Sequence, residues 1–125
     1  MGMYQDIQDF HSKFGLEGPS VPTELDSDTL DFRMKFMEEE LDEFSEAWNT
    51  SDMEKQFDAL IDLVYVALGT AHMMGLNFDE GWKRVHEANM KKVRASSDGS
   101  NSKRGSSLDV VKPEGWVAPD LSDLV

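Results

Sequence analysis

From Ala59 to Ala71 the chain reads ALIDLVYVALGTA, and Asp62 is its only charged residue. A buried carboxylate without a partner is costly, so it takes a counter-ion or a metal. Just upstream lies a dense source of acid, Glu38-Glu39-Glu40-Leu41-Asp42-Glu43. Hard divalent cations such as Mg²⁺ or Mn²⁺ want oxygen ligands, and carboxylates from two facing helices supply them. A divalent-cation site is therefore the chemistry these residues point to first.

Helical spacing sorts the acids further. At about 100° per residue, Glu40 falls between Phe36 and Phe44, and Glu43 falls between Phe32 and Phe36. Both are bracketed by apolar side chains. Glu38, Asp42 and Glu46 share the open polar arc with Lys35, where a solvated face is expected. Glu39 sits at the border, four residues from Glu43, a spacing at which two carboxylates can share an ion. On the next helix Asp58 and Asp62 are four apart on one face, and Gly69 projects to the same side, which would leave room for a ligand. The plainer alternatives are a solvated run of Glu, and an Asp62 paired with Arg or Lys.

Four helices position these groups. The first spans about Tyr4 to Phe14, with Tyr4, Ile7, Phe10 and Phe14 at helical spacing, and the Gly- and Pro-containing segment 15–26 follows as a loop. The second starts near Ser27 or Asp28 and runs to about Trp48. Leu30, Met34, Met37, Leu41, Phe44 and Trp48 form one continuous apolar stripe along it. Ser51-Asp52-Met53-Glu54 reads as a capping box that opens the third helix, and Gly75 closes it. Asn77 caps the fourth, which runs to about Val93 with Lys91, Lys92 and Arg94 at the negative end of its dipole.

The fourth helix adds polar groups. Phe78, Trp82, Val85 and Asn89 make its stripe, so Asn89 stands where Leu is expected. A buried Asn can fix helix pairing, or it can contact a metal-bound phosphate. Lys92 continues that face by one turn and can reach phosphate oxygens, whereas His86 at the stripe edge reads as packing. Residues 95–107 are rich in Ser, Gly, Asn and basic side chains and read as a flexible segment. The ending LDVVKPEGWVAPDLSDLV has apolar anchors without helical period and reads as an extended arm with one short strand. Lys103, Arg104 and Lys112 are the basic residues of this region; most such charges are merely solvated, but a mobile basic arm could close over a polyphosphate.

With 125 residues the chain is expected to be a single domain, a helical core over 1–94 followed by the segment and arm over 95–125. A formal charge of −13 argues against nucleic acid or an anionic membrane as partner, though an anionic small molecule can bind through a local cation. The absence of Cys removes disulfides, thiolate metal sites and a cysteine nucleophile, and fits a cytoplasmic protein. The start MGMYQDIQDF lacks signal-peptide features, and no apolar run is long enough to span a bilayer.

Taken in order, these residues resemble the MazG-like, all-α nucleoside triphosphate pyrophosphohydrolases. That superfamily includes dimeric all-α dUTPases and phosphoribosyl-ATP pyrophosphohydrolases. Its first motif, Glu-Glu-x-x-Glu, is matched by Glu39-Glu40-Leu41-Asp42-Glu43. Its second, Glu-x-x-Asp, is matched only at Asp62. Ala59 replaces the Glu, and Asp58 on the same face is the substitute at hand. The stretch VYVALGTAHMMGLNFDEGWKRVHEANMKK and the ending KPEGWVAPDL are similar to the phosphoribosyl-ATP pyrophosphohydrolase-like branch, which includes phage-encoded members.

The resemblance implies an all-α, four-helix MazG-like bundle with an extended C-terminal arm, working as a homodimer or homotetramer. It implies Mg²⁺, with Mn²⁺ as a variant, held by Glu39, Glu40, Glu43 and Asp62, with Asp58 as a further ligand. Asn89, Lys92 and Lys112 become the contacts to substrate phosphate. The implied reaction splits a nucleoside triphosphate between its α and β phosphates by metal-activated water. A dUTPase or phosphoribosyl-ATP specificity on the same scaffold, and a non-catalytic helical dimer, stay open as alternatives. A ferritin-like di-iron site is disfavoured because no Glu stands three residues before His11, His72 or His86.

Overall fold

The computed structural model of the chain describes residues 2–125. It is all-α, with four helices: α1 (Met3–Lys13), α2 (Ser27–Asn49), α3 (Met53–Met73) and α4 (Phe78–Asn89). Two short strands, β1 (Val93–Arg94) and β2 (Val110–Val111), pair antiparallel, with Val93 opposite Val111 and Arg94 opposite Val110. A single 3₁₀ turn covers Ser122–Leu124. The chain forms two compact units, residues 1–78 with Val125, and residues 79–124.

In the first unit α3 is the central element, with α2 and α1 each packed against it. Its apolar sequence suits that place, since a helix apolar on most sides must be covered on most sides. Tyr4 and Ile7 of α1 meet Leu68 and Ala71 of α3 in the core, with Tyr65, Leu76 and Phe78 around them. The Tyr4 hydroxyl donates to the Leu76 carbonyl at 2.8 Å, so the buried ring keeps its polar end satisfied.

Local signals set the helix ends. Asp26 caps α2 by accepting from the Thr29 N–H at 2.8 Å, and the helix starts at Ser27 as its sequence predicts. The cap of α3 is Asp52 rather than Ser51, and Asp52 accepts from the Lys55 N–H at 3.0 Å. Ser51 instead carries the turn between α2 and α3 with φ 55°. Gly75 closes α3 as expected. Its φ of 68° is open to glycine without penalty, and its N–H donates to the His72 carbonyl.

Three expectations about faces are corrected. The α2 stripe is not the covered face: Leu30, Met34, Leu41 and Trp48 are exposed, and the buried residues are Arg33, Glu40 and Ala47, at steps of seven. The helix turns its mixed face to α3 and leaves its most apolar face outward. On α4 the buried residue is Ala88, while Asn89 and Trp82 are exposed, so no buried Asn fixes helix pairing there. That helix also ends at Asn89, four residues before the expected Val93. The third correction concerns Gly69 and belongs to the site.

In the second unit, residues 95–107, flexible by composition, form turns that are hydrogen-bonded among themselves and to Asp109. Asn101 Oδ1 accepts from the Ser96 N–H at 2.8 Å, and Asp109 accepts from Ser102 at 2.7 Å and from Arg104 at 3.0 Å. Trp116 anchors the ending by donating its indole N–H to the Ala88 carbonyl at 2.7 Å.

Candidate carboxylate site

The turn Thr50–Asp52 makes α2 and α3 a helical hairpin, and the candidate acids lie on its two arms. Glu40 is 7 % exposed although it sits in the most acidic stretch of the chain. Phe36 and Phe44, half-buried on either side along the helix, bracket it as their spacing requires. Its Oε2 is buried and, alone among the buried side-chain oxygens and nitrogens of the described residues, has no hydrogen-bond partner. Such an atom forgoes its hydration without return.

The electrostatics follow from this crowding. The Glu40 carboxyl is pushed up to about 7, first by burial, then by its contact with the Glu43 carboxyl and by the charges of Glu43, Asp62 and Asp58. Burial and nearby negative charge both favour the protonated form of a carboxyl. Asp62 is half-buried and also raised, by burial and then by the charges of Asp58 and Glu43. No Lys or Arg forms an ion pair with Asp62 among the described residues. The paired-core-acid reading of Asp62 therefore fails, because its charged neighbours are other acids.

The sequence candidates divide accordingly. Glu40, Glu43, Asp58 and Asp62 act on one another across the hairpin. Glu39 is exposed and is not among the charges that act on Glu40. Ala59, where the second motif has Glu, is 2 % exposed, and the exposed Asp58 beside it is the acid that reaches the cluster. A cavity of about 450 Å³ opens beside the cluster, lined by Glu43, Glu46, Thr50, Lys55 and Asp58 among others. Lys55, its one cationic lining residue, carries no signal in sequence beyond lying three residues before Asp58.

The donor set, all carboxylate oxygens with one of them unpartnered and buried, suits a hard divalent ion. Among the described residues no three Asp, Glu or His side chains converge tightly enough to enclose one. The acids form a carboxylate cluster with open space beside it.

Gly69 does not leave room for a ligand. A Cβ there would lie 2.6 Å from Arg33 Nη2 and 2.9 Å from His11 Nε2, so the gap already holds a guanidinium and an imidazole. Arg33 is 6 % exposed and has no acidic partner. It donates from Nε to Thr70 Oγ1 at 3.1 Å and from Nη2 to the Val66 carbonyl at 2.9 Å. His11 Nδ1 lies 3.1 Å from the Leu16 carbonyl, to which it donates, and its ring meets His72 edge-on at 5.0 Å.

The remaining candidates lie in the second unit. Asn89 is exposed at the end of α4, and its carbonyl accepts from the Lys92 N–H at 3.0 Å. Lys92 and Lys112 each place their ammonium near the Trp116 ring, at 5.2 and 5.1 Å from its centre.

An all-α chain whose two longest helices gather four carboxylates is thereby defined by fold and site. Residues 7–89, more than half of the chain, match the family model of phosphoribosyl-ATP pyrophosphohydrolase, and the chain belongs to that family of pyrophosphohydrolases. The match contains both acidic helices and ends at Asn89, so Lys92 and Lys112 lie beyond it. No curated protein matches the chain. Among the described residues no single helix is long and apolar enough to cross a membrane.

Proposed function

We propose that this chain hydrolyses nucleoside triphosphates to a monophosphate and pyrophosphate at the carboxylate cluster of α2 and α3. The observation that carries the reading is the buried, unpartnered Oε2 of Glu40, surrounded by three further acids in a pyrophosphohydrolase family member. Glu39, Glu40, Glu43 and Asp62 would hold Mg²⁺, or Mn²⁺, with Asp58 in place of the Glu absent at position 59. When bound, such an ion neutralises polyphosphate charge and lowers the pKa of water. Water adds at a phosphorus of the α–β bridge, the bridging P–O bond breaks, and a carboxylate free of the ion accepts the proton. Asn89, Lys92 and Lys112 contact substrate phosphate. The phosphoribosyl-ATP match makes that nucleotide a natural member of the substrate panel. We further propose a homodimer or homotetramer in the cytoplasm, with no nucleic-acid or membrane partner.

The test is pyrophosphate release from common ribo- and deoxyribonucleoside triphosphates, dUTP and phosphoribosyl-ATP, with Mg²⁺ and with EDTA. Metal-dependent release with monophosphate product is the expected result. Glu43→Gln and Asp62→Asn should each abolish it while helix content, read by circular dichroism, is kept. Normal turnover in both variants would overturn the site.

A further inference from the structure

The second unit contains a cavity of about 230 Å³ lined by Lys92, Lys103, Arg104, Lys112, Asn101 and Asp109 among others. Four cations around one small space stand out in a chain whose formal charge is −13. The antiparallel pairing of Val93 with Val111 sets the register there, which brings Lys92 and Lys112 to the same edge. Both ammonium groups are drawn to one ring, that of Trp116, and the indole is fixed in turn by its bond to the Ala88 carbonyl. Two like charges drawn to one ring repel each other, and an anion beside them would offset that repulsion.

The anion within the cavity wall does not serve all of them. Asp109 is taken by Arg104, through contacts at 3.0 and 3.1 Å, and by the Ser102 hydroxyl at 2.7 Å. Lys92, Lys103 and Lys112 have no carboxylate within ion-pair distance among the described residues. The bond to Asp109 also orients the Arg104 guanidinium, the side chain best shaped for phosphate oxygens. The cavity is thus a preformed set of donors with unanswered positive charge.

We infer that this cavity binds a diphosphate group, and that it does so without a metal ion. The inference rests on the proposed pyrophosphohydrolase reading for its ligand and deepens it. Lys103 and Arg104 join Lys92 and Lys112 as contacts to the diphosphate in this cavity, in a part of the molecule beyond the family match.

The test uses the full chain in EDTA, titrated with inorganic pyrophosphate and followed by the NMR signal of the Trp116 indole N–H. A saturable shift is expected. Lys103→Gln with Arg104→Gln should weaken binding by at least about tenfold, as loss of charge-assisted hydrogen bonds implies. Lys83→Gln, which removes the same kind of charge elsewhere, should leave it nearly unchanged. Should the double variant fail to fold, Lys103→Gln alone carries the comparison, because Lys103 is exposed and unpaired and leaves the Arg104–Asp109 contact intact. Absence of a saturable shift overturns the inference, as does equal weakening by Lys83→Gln. Pyrophosphate binding without turnover of any nucleotide would support the cavity while removing the hydrolase reading. Turnover without pyrophosphate binding would do the reverse.

Discussion

The backbone of Gly69 is the floor on which the guanidinium of Arg33 rests, so close that a Cβ at residue 69 would stand 2.6 Å from Nη2. That nitrogen is tied to the Val66 carbonyl and its neighbour Nε to Thr70, so the side chain cannot swing away without surrendering both bonds. Gly69→Ala ordinarily gains about 1 kcal/mol of helix propensity. Here overpacking, at about 1–3 kcal/mol, should outweigh it. Urea unfolding should show a net loss for Gly69→Ala. Gly81→Ala, inside α4 where nothing lies within 4 Å, should show a gain instead.

This pair also shows what sequence could and could not reveal. The helices were legible because apolar spacing and terminal residues such as Asp52 and Gly75 act locally. The acids Glu40 and Asp62 were legible because each breaks an apolar surround. The face that α2 buries was not, because Arg33, Glu40 and Ala47 look polar beside the Met and Phe stripe, and burial of Arg33 depends on a carbonyl of another helix. Gly69 showed a gap, but nothing in its own helix tells that residues from α1 and α2 fill it. Asn89 was misplaced for a related reason: one turn of α4 has two candidate inward positions, and the smaller Ala88 takes the buried one.

Glu40 should make the metal-free protein less stable as pH rises. Its carboxyl is raised to about 7 from an ordinary 4.5, so the fold favours the protonated form. That stabilisation is complete below about pH 4.5 and is lost as pH rises through about 7. Melting temperature in EDTA should therefore carry a falling component across this window. Glu40→Gln, which keeps the shape without the titration, should flatten it. Mg²⁺ should restore stability most at the upper end, where the carboxylates are free to bind it. An identical slope in Glu40→Gln would place the titration elsewhere.

His11 should act in the opposite direction on the acid side. Burial is the main cause that lowers its pKa, and the charges of His72 and Arg33 add to it, against the raising effect of the bond to Leu16. The fold thus favours neutral His11. Its contribution is present above pH 6.5 and is lost as pH falls through the lower folded value. Protonation would put a second cation against Arg33 with no carboxylate at hand. His11→Gln should be less stable than the parent at pH 8 and should lose less on acidification. Unfolding free energies across pH 5–8 in the parent, Glu40→Gln and His11→Gln separate the two opposing slopes.

The outward stripe of α2 yields the last prediction. Leu30, Met34, Leu41 and Trp48 are 45, 49, 57 and 68 % exposed, and with half-buried Met37 and Phe44 they alternate steps of four and three along the helix. That is the spacing of a seam between helices. An apolar row of this length on one chain is the mark of an association surface, and a second copy supplies a matching row by symmetry. The proposed oligomer should use it. Met34→Lys with Leu41→Lys should shift the mass measured by light scattering to that of a monomer, with helix content preserved at a concentration where the parent is oligomeric. The carboxylates lie on a different face of α2, so Mg²⁺ should still raise the melting temperature of this variant if the acids of one chain suffice to bind it. A monomer that no longer responds to Mg²⁺ would show instead that the site is completed across the seam. An unchanged mass would remove α2 from the interface.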